Sequence, residues 1–114
     1  MSDIGTMAEK VGALLKARGE TIAVAESSAG GLISAALLAV PGASAYFKGG
    51  ATVYTGTAKR IFIDVPDAQM EAHRPATEAH ALDLARTAAA RLDADWGIGE
   101  TGVAGPTCNR YGNP

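Results

Sequence analysis

Ser27 follows a short apolar run, Thr21-Ile22-Ala23-Val24-Ala25, and stands just ahead of Gly30-Gly31, after which Leu32 to Val40 resumes an apolar, helical pattern. A serine at such a strand-to-helix turn has a nucleophilic oxygen beside the free amides of a helix start. Those amides can hold an anion, or the oxyanion that develops in acyl transfer. Glycine at that point lets a substrate approach the backbone. The same residues carry a plainer reading, in which Ser27 or Ser28 caps the helix. The segment is not a G-x-S-x-G nucleophile elbow, and the triad signature of that fold is missing.

A serine nucleophile needs a base. His73 falls in a turn and His80 on a helix, and the two lack metal-ligand spacing, so no metal site is expected. Lys59 is the other candidate base, five residues after Tyr54. A partly buried lysine can lose its proton near neutral pH, and a tyrosine can relay or orient that proton. Read locally, Tyr54 is equally a half-buried strand residue and Lys59 a solvated helix residue.

Two glycine segments differ in meaning. Gly97-Ile98-Gly99-Glu100-Thr101-Gly102 matches G-x-G-x-x-G by letter, but its glycines lie inside a strand and no helix opens after it. Glycine within a strand marks the close approach of a neighbouring backbone. Gly102-Val103-Ala104-Gly105-Pro106-Thr107, directly after that strand, lies where α/β sheets bind ligands. Arg110 nearby could pair with a phosphate. A plain turn is the alternative.

These residues need a scaffold. Thr6-Met7-Ala8-Glu9 has the capping-box pattern, and Met7, Val11, Leu14 and Leu15 recur at helical spacing up to the stop at Gly19. A strand over 21–25 follows, then the helix of 32–40, closed by Pro41-Gly42. A second strand is expected around 51–55, a short helix around 58–63, and a further helical turn containing Met70. Thr77 reads as the cap of a long helix to Leu92, with Ala81, Leu84, Ala85, Ala88 and Leu92 as its apolar stripe. Trp96 to Thr101 reads as a third strand. Strands alternating with helices predict an α/β domain.

The 114 residues make one small domain, 47% apolar, with a net charge of −2 and interspersed signs. That charge lacks the basic footprint of a nucleic-acid binder. No apolar run approaches the ~20 residues that span a bilayer. Cys108 is the single cysteine, which excludes an intrachain disulfide. With no signal-peptide pattern at Met1-Ser2-Asp3, a cytoplasmic protein is the expectation.

Four segments together resemble the CinA C-terminal domain family, which includes nicotinamide mononucleotide amidases. Ala25-Glu26-Ser27-Ser28-Ala29-Gly30-Gly31 resembles the family's A-E-S-C-T-G-G, and Val53-Tyr54-Thr55-Gly56-Thr57-Ala58-Lys59 its V-x-Y-S-x-x-A-K. Thr101-Gly102-Val103-Ala104-Gly105-Pro106 is similar to S-G-I-A-G-P, and Pro41-Gly42-Ala43-Ser44-Ala45-Tyr46-Phe47 to a stretch containing G-S-S-A-W-F. The resemblance implies a three-layer α/β/α sandwich and an amidohydrolase that converts nicotinamide mononucleotide to nicotinic acid mononucleotide and ammonia. It implies Ser27 as nucleophile, Lys59 as general base and Tyr54 in the relay. Amides near Gly30 and Gly31 would supply the oxyanion site. The loop of Gly102, Ala104, Gly105 and Thr107, with Arg110, would hold the nucleotide. It implies no metal, no cofactor and a homodimer. Two departures stand out. Ser28-Ala29 replaces the family's Cys-Thr and removes a hydroxyl, and the family's further strand and helix are expected beyond Pro114, where this sequence ends. A weak or inactive nucleotide-binding paralogue, or a hydrolase of another small amide, is therefore the competing expectation.

Overall fold

Alternation along the central strand divides the molecule into layers. In the computed structural model, which describes residues 2–102, β1 (Ile22–Glu26) is buried along its whole length. It lies between β2 (Phe47–Thr52) and β3 (Trp96–Gly99), and pairs parallel with both. Successive side chains of a strand point to opposite faces. Ile22 and Val24 therefore enter one core with Ala8, Leu15, Leu37 and Tyr46, while Ala23 and Ala25 enter another with Val53, Ile63, Val65, Leu84 and Ala88.

The first core is roofed by α1 (Ser2–Arg18) and α2 (Leu32–Leu38). The second is roofed by α5 (Glu78–Leu92), with α3 (Gly56–Ile63) and α4 (Asp67–Ala72) beside it. Helices on both faces of a parallel sheet give the expected three-layer α/β/α arrangement in one domain.

Several boundaries differ from the sequence expectation. α1 is helical from Ser2, so Thr6 lies inside the helix rather than at a capping box. Its inward stripe is Ala8, Val11 and Leu15, whereas Met7 and Leu14 face outward. β2 runs over Phe47–Thr52, earlier than the strand expected over 51–55. Pairing of Phe47 to Thr52 with β1 overrides the turn-like Gly49-Gly50. Thr77 does cap α5, its hydroxyl accepting from the His80 N–H at 3.2 Å. The strand glycines behave as expected: a Cβ on Gly97 or Gly99 would overlap the carbonyl oxygens of Ala85 or Ala81, so their absence of a side chain lets α5 lie close on β3.

Candidate functional site

Three chain segments reach the same edge of the sheet, because all three strands run parallel and their carboxyl ends coincide. Ser27 follows β1 directly, Tyr54 stands just past β2, and Glu100 follows β3. Ligands of open α/β sheets bind in the crevice at that edge.

The turn after β1 is held by two carboxylates. Glu26 is completely buried at the end of the strand. Its Oε1 accepts from the N–H of Gly31 at 3.2 Å and of Ile33 at 2.9 Å, and its Oε2 from that of Ser34 at 2.9 Å. It thus satisfies the amides that open α2, whose first cap residue, Gly31, makes no side-chain cap. The reading of Ser27 or Ser28 as the helix cap is corrected: the cap is Glu26, acting from within the preceding strand.

Glu100 reaches the turn from the other side. Its Oε1 accepts from the Ser27 N–H at 2.7 Å and the Ala29 N–H at 2.9 Å, and its Oε2 accepts from the Ser28 hydroxyl at 2.6 Å. Desolvation raises the proton affinity of this carboxyl. The Ser28 hydroxyl and the amides of Ala29, Ser27 and Ser28 together outweigh it and leave Glu100 below the ordinary carboxylate range. Ser27 itself is 4% exposed.

Lys59 sits in the second turn of α3, which begins at the Thr55 cap, where the Thr55 hydroxyl accepts from Ala58 N–H at 3.1 Å. It is 3% exposed. Burial lowers the pKa of its ammonium, and the charge of Glu100 partly offsets that effect. The solvated-helix reading of Lys59 therefore fails, while Tyr54 is 49% exposed at the strand end.

A second buried polar side chain lies on the same face of the sheet, the histidine that the sequence placed on a helix. His80 of α5 is 1% exposed, and among the described residues no donor or acceptor meets either ring nitrogen at hydrogen-bonding geometry. Burial, then the charge of Lys59, lowers its pKa; Asp83 and the nearby His73 carbonyl act in the opposite sense. Asp83, also buried, accepts from or shares a proton with His73 Nδ1 at 2.6 Å.

Of the other expected binding residues, Gly30 and Gly31 adopt left-handed φ values of 68° and 107°. Their amides are engaged, Gly30 N–H to the Ser27 carbonyl at 3.2 Å and Gly31 N–H to Glu26. An oxyanion at those two amides would have to displace existing bonds. Gly102 approaches the turn so closely that a Cβ there would meet Ser28 Oγ at 2.5 Å. Ala104, Gly105, Thr107 and Arg110 lie outside the described residues. Sequence does not single out Glu26 or Glu100 as site residues, whereas His80 is weighed there beside Lys59 as a base for Ser27. The signal for Glu26 was an acid closing an otherwise apolar strand, but its partners are amides that no side-chain pattern displays.

The profile of the CinA C-terminal domain matches residues 4–114. This chain belongs to that family. Its relatives include a CinA-like protein of Synechococcus sp. (strain CC9902), 43% identical over 91% of this chain and 25% of its own length. A CinA-like protein of Synechocystis sp. (strain ATCC 27184 / PCC 6803 / Kazusa) is 45% identical over the same shares. The CinA domain described here thus spans about a quarter of those relatives. Among solved structures, a competence-damaged protein (CinA) superfamily member from Escherichia coli superposes with a TM-score of 0.85 at 27% identity, over 97% of this chain and 64% of that one. The competence/damage inducible protein CihA from Agrobacterium tumefaciens gives 0.83 at 30% identity, over 98% and 68%. Among the described residues, no helix of this CinA domain is long and apolar enough to cross a membrane.

Proposed function

We propose that this chain is a nicotinamide mononucleotide amidohydrolase working through a serine acyl-enzyme. Ser27 Oγ attacks the carboxamide carbon while Lys59 accepts its proton, with Tyr54 orienting the relay. Ammonia leaves with a proton returned from Lys59, and water then cleaves the ester to give nicotinic acid mononucleotide. One observation carries the reading: Lys59 of α3 is buried, with its ammonium destabilised by desolvation, and the helix that holds it follows the strand beside β1, after which Ser27 stands. A lysine in that state is suited to general-base work near neutral pH. Gly102 and the segment beyond it, with Gly105, Thr107 and Arg110, would hold the nucleotide; the same reading includes a homodimer in the cytoplasm.

Ammonia release from nicotinamide mononucleotide tests the proposal. Ser27→Ala should reduce it by about 10³-fold or more. Equal rates for the wild type and Ser27→Ala would sink the serine mechanism.

A binding-only reading is favoured by a separate observation, the prior engagement of the Gly30 and Gly31 amides. Calorimetry separates the two. Nucleotide binding without ammonia release supports a non-catalytic paralogue, and turnover of a different small amide would redirect the substrate assignment.

A further inference from the structure

The clamp that Glu100 places on the Ser27 turn goes beyond any residue role given so far. Its carboxylate is the point at which three parts of the site meet. It receives Ser27 and Ala29 N–H and the Ser28 hydroxyl at 2.7, 2.9 and 2.6 Å, and its charge acts on Lys59. Its own position is fixed by the sheet, since the Glu100 N–H donates to the Ala25 carbonyl at 3.0 Å, just before the turn begins. Backbone pairing and side chain thus tie the two sides of the crevice together across one residue. Glu26 secures the helix side of the turn, and no other described carboxylate accepts from the amides of Ser27 and Ala29.

We propose that Glu100 is a positioning residue for Ser27, holding the nucleophile turn from the end of β3 through the amides of Ser27 and Ala29 and the hydroxyl of Ser28. It touches neither the reacting bond nor the transferred proton; it acts through Ser27 and Lys59. The kinetic part of this inference rests on the amidase reading above, whereas the clamp itself does not. The charge of Glu100 beyond β3 acts on Lys59, and Lys59 in turn acts on His80 of α5, as do Asp83 and His73.

Two measurements on the 114-residue chain separate these parts. In ¹⁵N–¹H spectra the Ser27 and Ala29 amide resonances should shift together as pH falls and the Glu100 carboxyl protonates. In Glu100→Gln that shared shift should vanish. Amides that ignore pH in the wild type, or that titrate unchanged in Glu100→Gln, would overturn the clamp whether or not the chain has amidase activity. In turnover, Glu100→Ala should lower kcat by about 10- to 100-fold with little change in KM, as expected of a misplaced nucleophile. Glu100→Gln keeps an acceptor for both amides and should recover most of that loss. Removing the anion from beside Lys59 makes its ammonium easier to deprotonate, so the rise of kcat/KM with pH should move to lower pH in Glu100→Gln. A purely structural contact would leave that profile in place. Unchanged kcat in Glu100→Ala, or an unmoved pH profile in Glu100→Gln, would overturn the positioning role. If Glu100→Ala fails to fold, the Glu100→Gln profile and the amide titration still decide. Wild-type protein that shows the amide titration but releases no ammonia would sink the amidase reading and leave the clamp standing.

Discussion

Ile22 and Val24 point from β1 into a core made of Ala8, Leu15, Leu37, Ala43 and Tyr46, and the buried Glu26 on the same face of the strand has its carboxylate bonded to the amides that open α2. Ala23 and Ala25, from the same strand, point the other way into Val53, Ile63, Val65, Leu84 and Ala88. On that second side α3 and α5 also bury Lys59, His80 and Asp83. The first layer follows the ordinary rule that buried polar atoms are paired, since the Tyr46 hydroxyl donates to the Leu37 carbonyl at 2.6 Å. The second breaks it at His80, whose ring nitrogens meet no partner at hydrogen-bonding geometry among the described residues, and it also buries a lysine whose charged form burial disfavours. One strand thus faces a layer whose buried polar groups are paired and, on its other side, a layer that buries ionisable groups at a cost in stability.

The largest expected effect tests that division directly. Lys59→Met keeps the length of the side chain and removes its charge. On the amidase reading, the rate of ammonia release should fall by about 10²- to 10⁴-fold. The melting temperature should hold or rise, because an ammonium no longer has to be desolvated. Thermal melts and turnover on the same preparation check both. A variant that loses stability along with activity would mean that Lys59 is a structural charge, and the contrast between the two layers would collapse.

His80 gives the intermediate test, and here pH is the probe. The ring is harder to protonate in the folded protein than the ordinary value of 6.5, chiefly through burial and then through Lys59. Between the lowered folded value and 6.5, the unfolded chain binds more protons than the folded one, so stability should rise with pH across that window. His80→Leu removes a buried imidazole whose nitrogens meet no partner at full hydrogen-bonding geometry among the described residues, and a buried polar group left unmet costs about 1–3 kcal/mol. Denaturant titrations should show the variant more stable by about 1–2 kcal/mol near pH 6 once imperfect packing is allowed for. Its stability should also be flatter across the window. A destabilised variant would show that the ring makes a necessary contact, and the second layer would then be as well satisfied as the first.

The two layers were also unequally legible in sequence. The order of strands and helices, the left-handed stop at Gly19, the Thr77 cap and the close-packed Gly97 and Gly99 all follow from local pattern and appear in the structure. Family membership followed from four segments in order, because motif letters survive without geometry. What sequence did not show was long-range polar pairing. Glu26 bonds to backbone up to eight positions ahead, and Glu100 to a turn more than seventy residues behind it. Amides look alike in every sequence, so no letter announced these clamps. β2 was placed late for a related reason: Gly49-Gly50 has turn chemistry, but the central strand supplies a partner for each of those residues. Met7 and Leu14 share the helical spacing of Val11 and Leu15 yet face outward, because apolar spacing on α1 fits two overlapping stripes and packing in the first core selects the one through Ala8, Val11 and Leu15.

The smallest effect belongs to the apolar layer. Tyr46 is buried with its ring against α1, so that a Cβ on Gly12 would lie 3.0 Å from its hydroxyl oxygen. That hydroxyl bonds the Leu37 carbonyl near the end of α2, and so one side chain joins the start of β2 to both helices of its layer. Tyr46→Phe keeps the ring and deletes the donor. The Leu37 carbonyl retains a second lone pair but loses this partner, and the expected loss is about 1 kcal/mol. Burial already favours the neutral phenol, so the difference should stay level from neutral pH up to the ordinary value of 10.0. Turnover should be unaffected, since Tyr46 lies in the core on the opposite face of the sheet from the one that buries Lys59. Denaturant melts with parallel rate measurements read both quantities. A change in rate larger than the change in stability would show that the apolar layer reaches the Ser27 turn through α2, and that the sheet does not insulate one layer from the other.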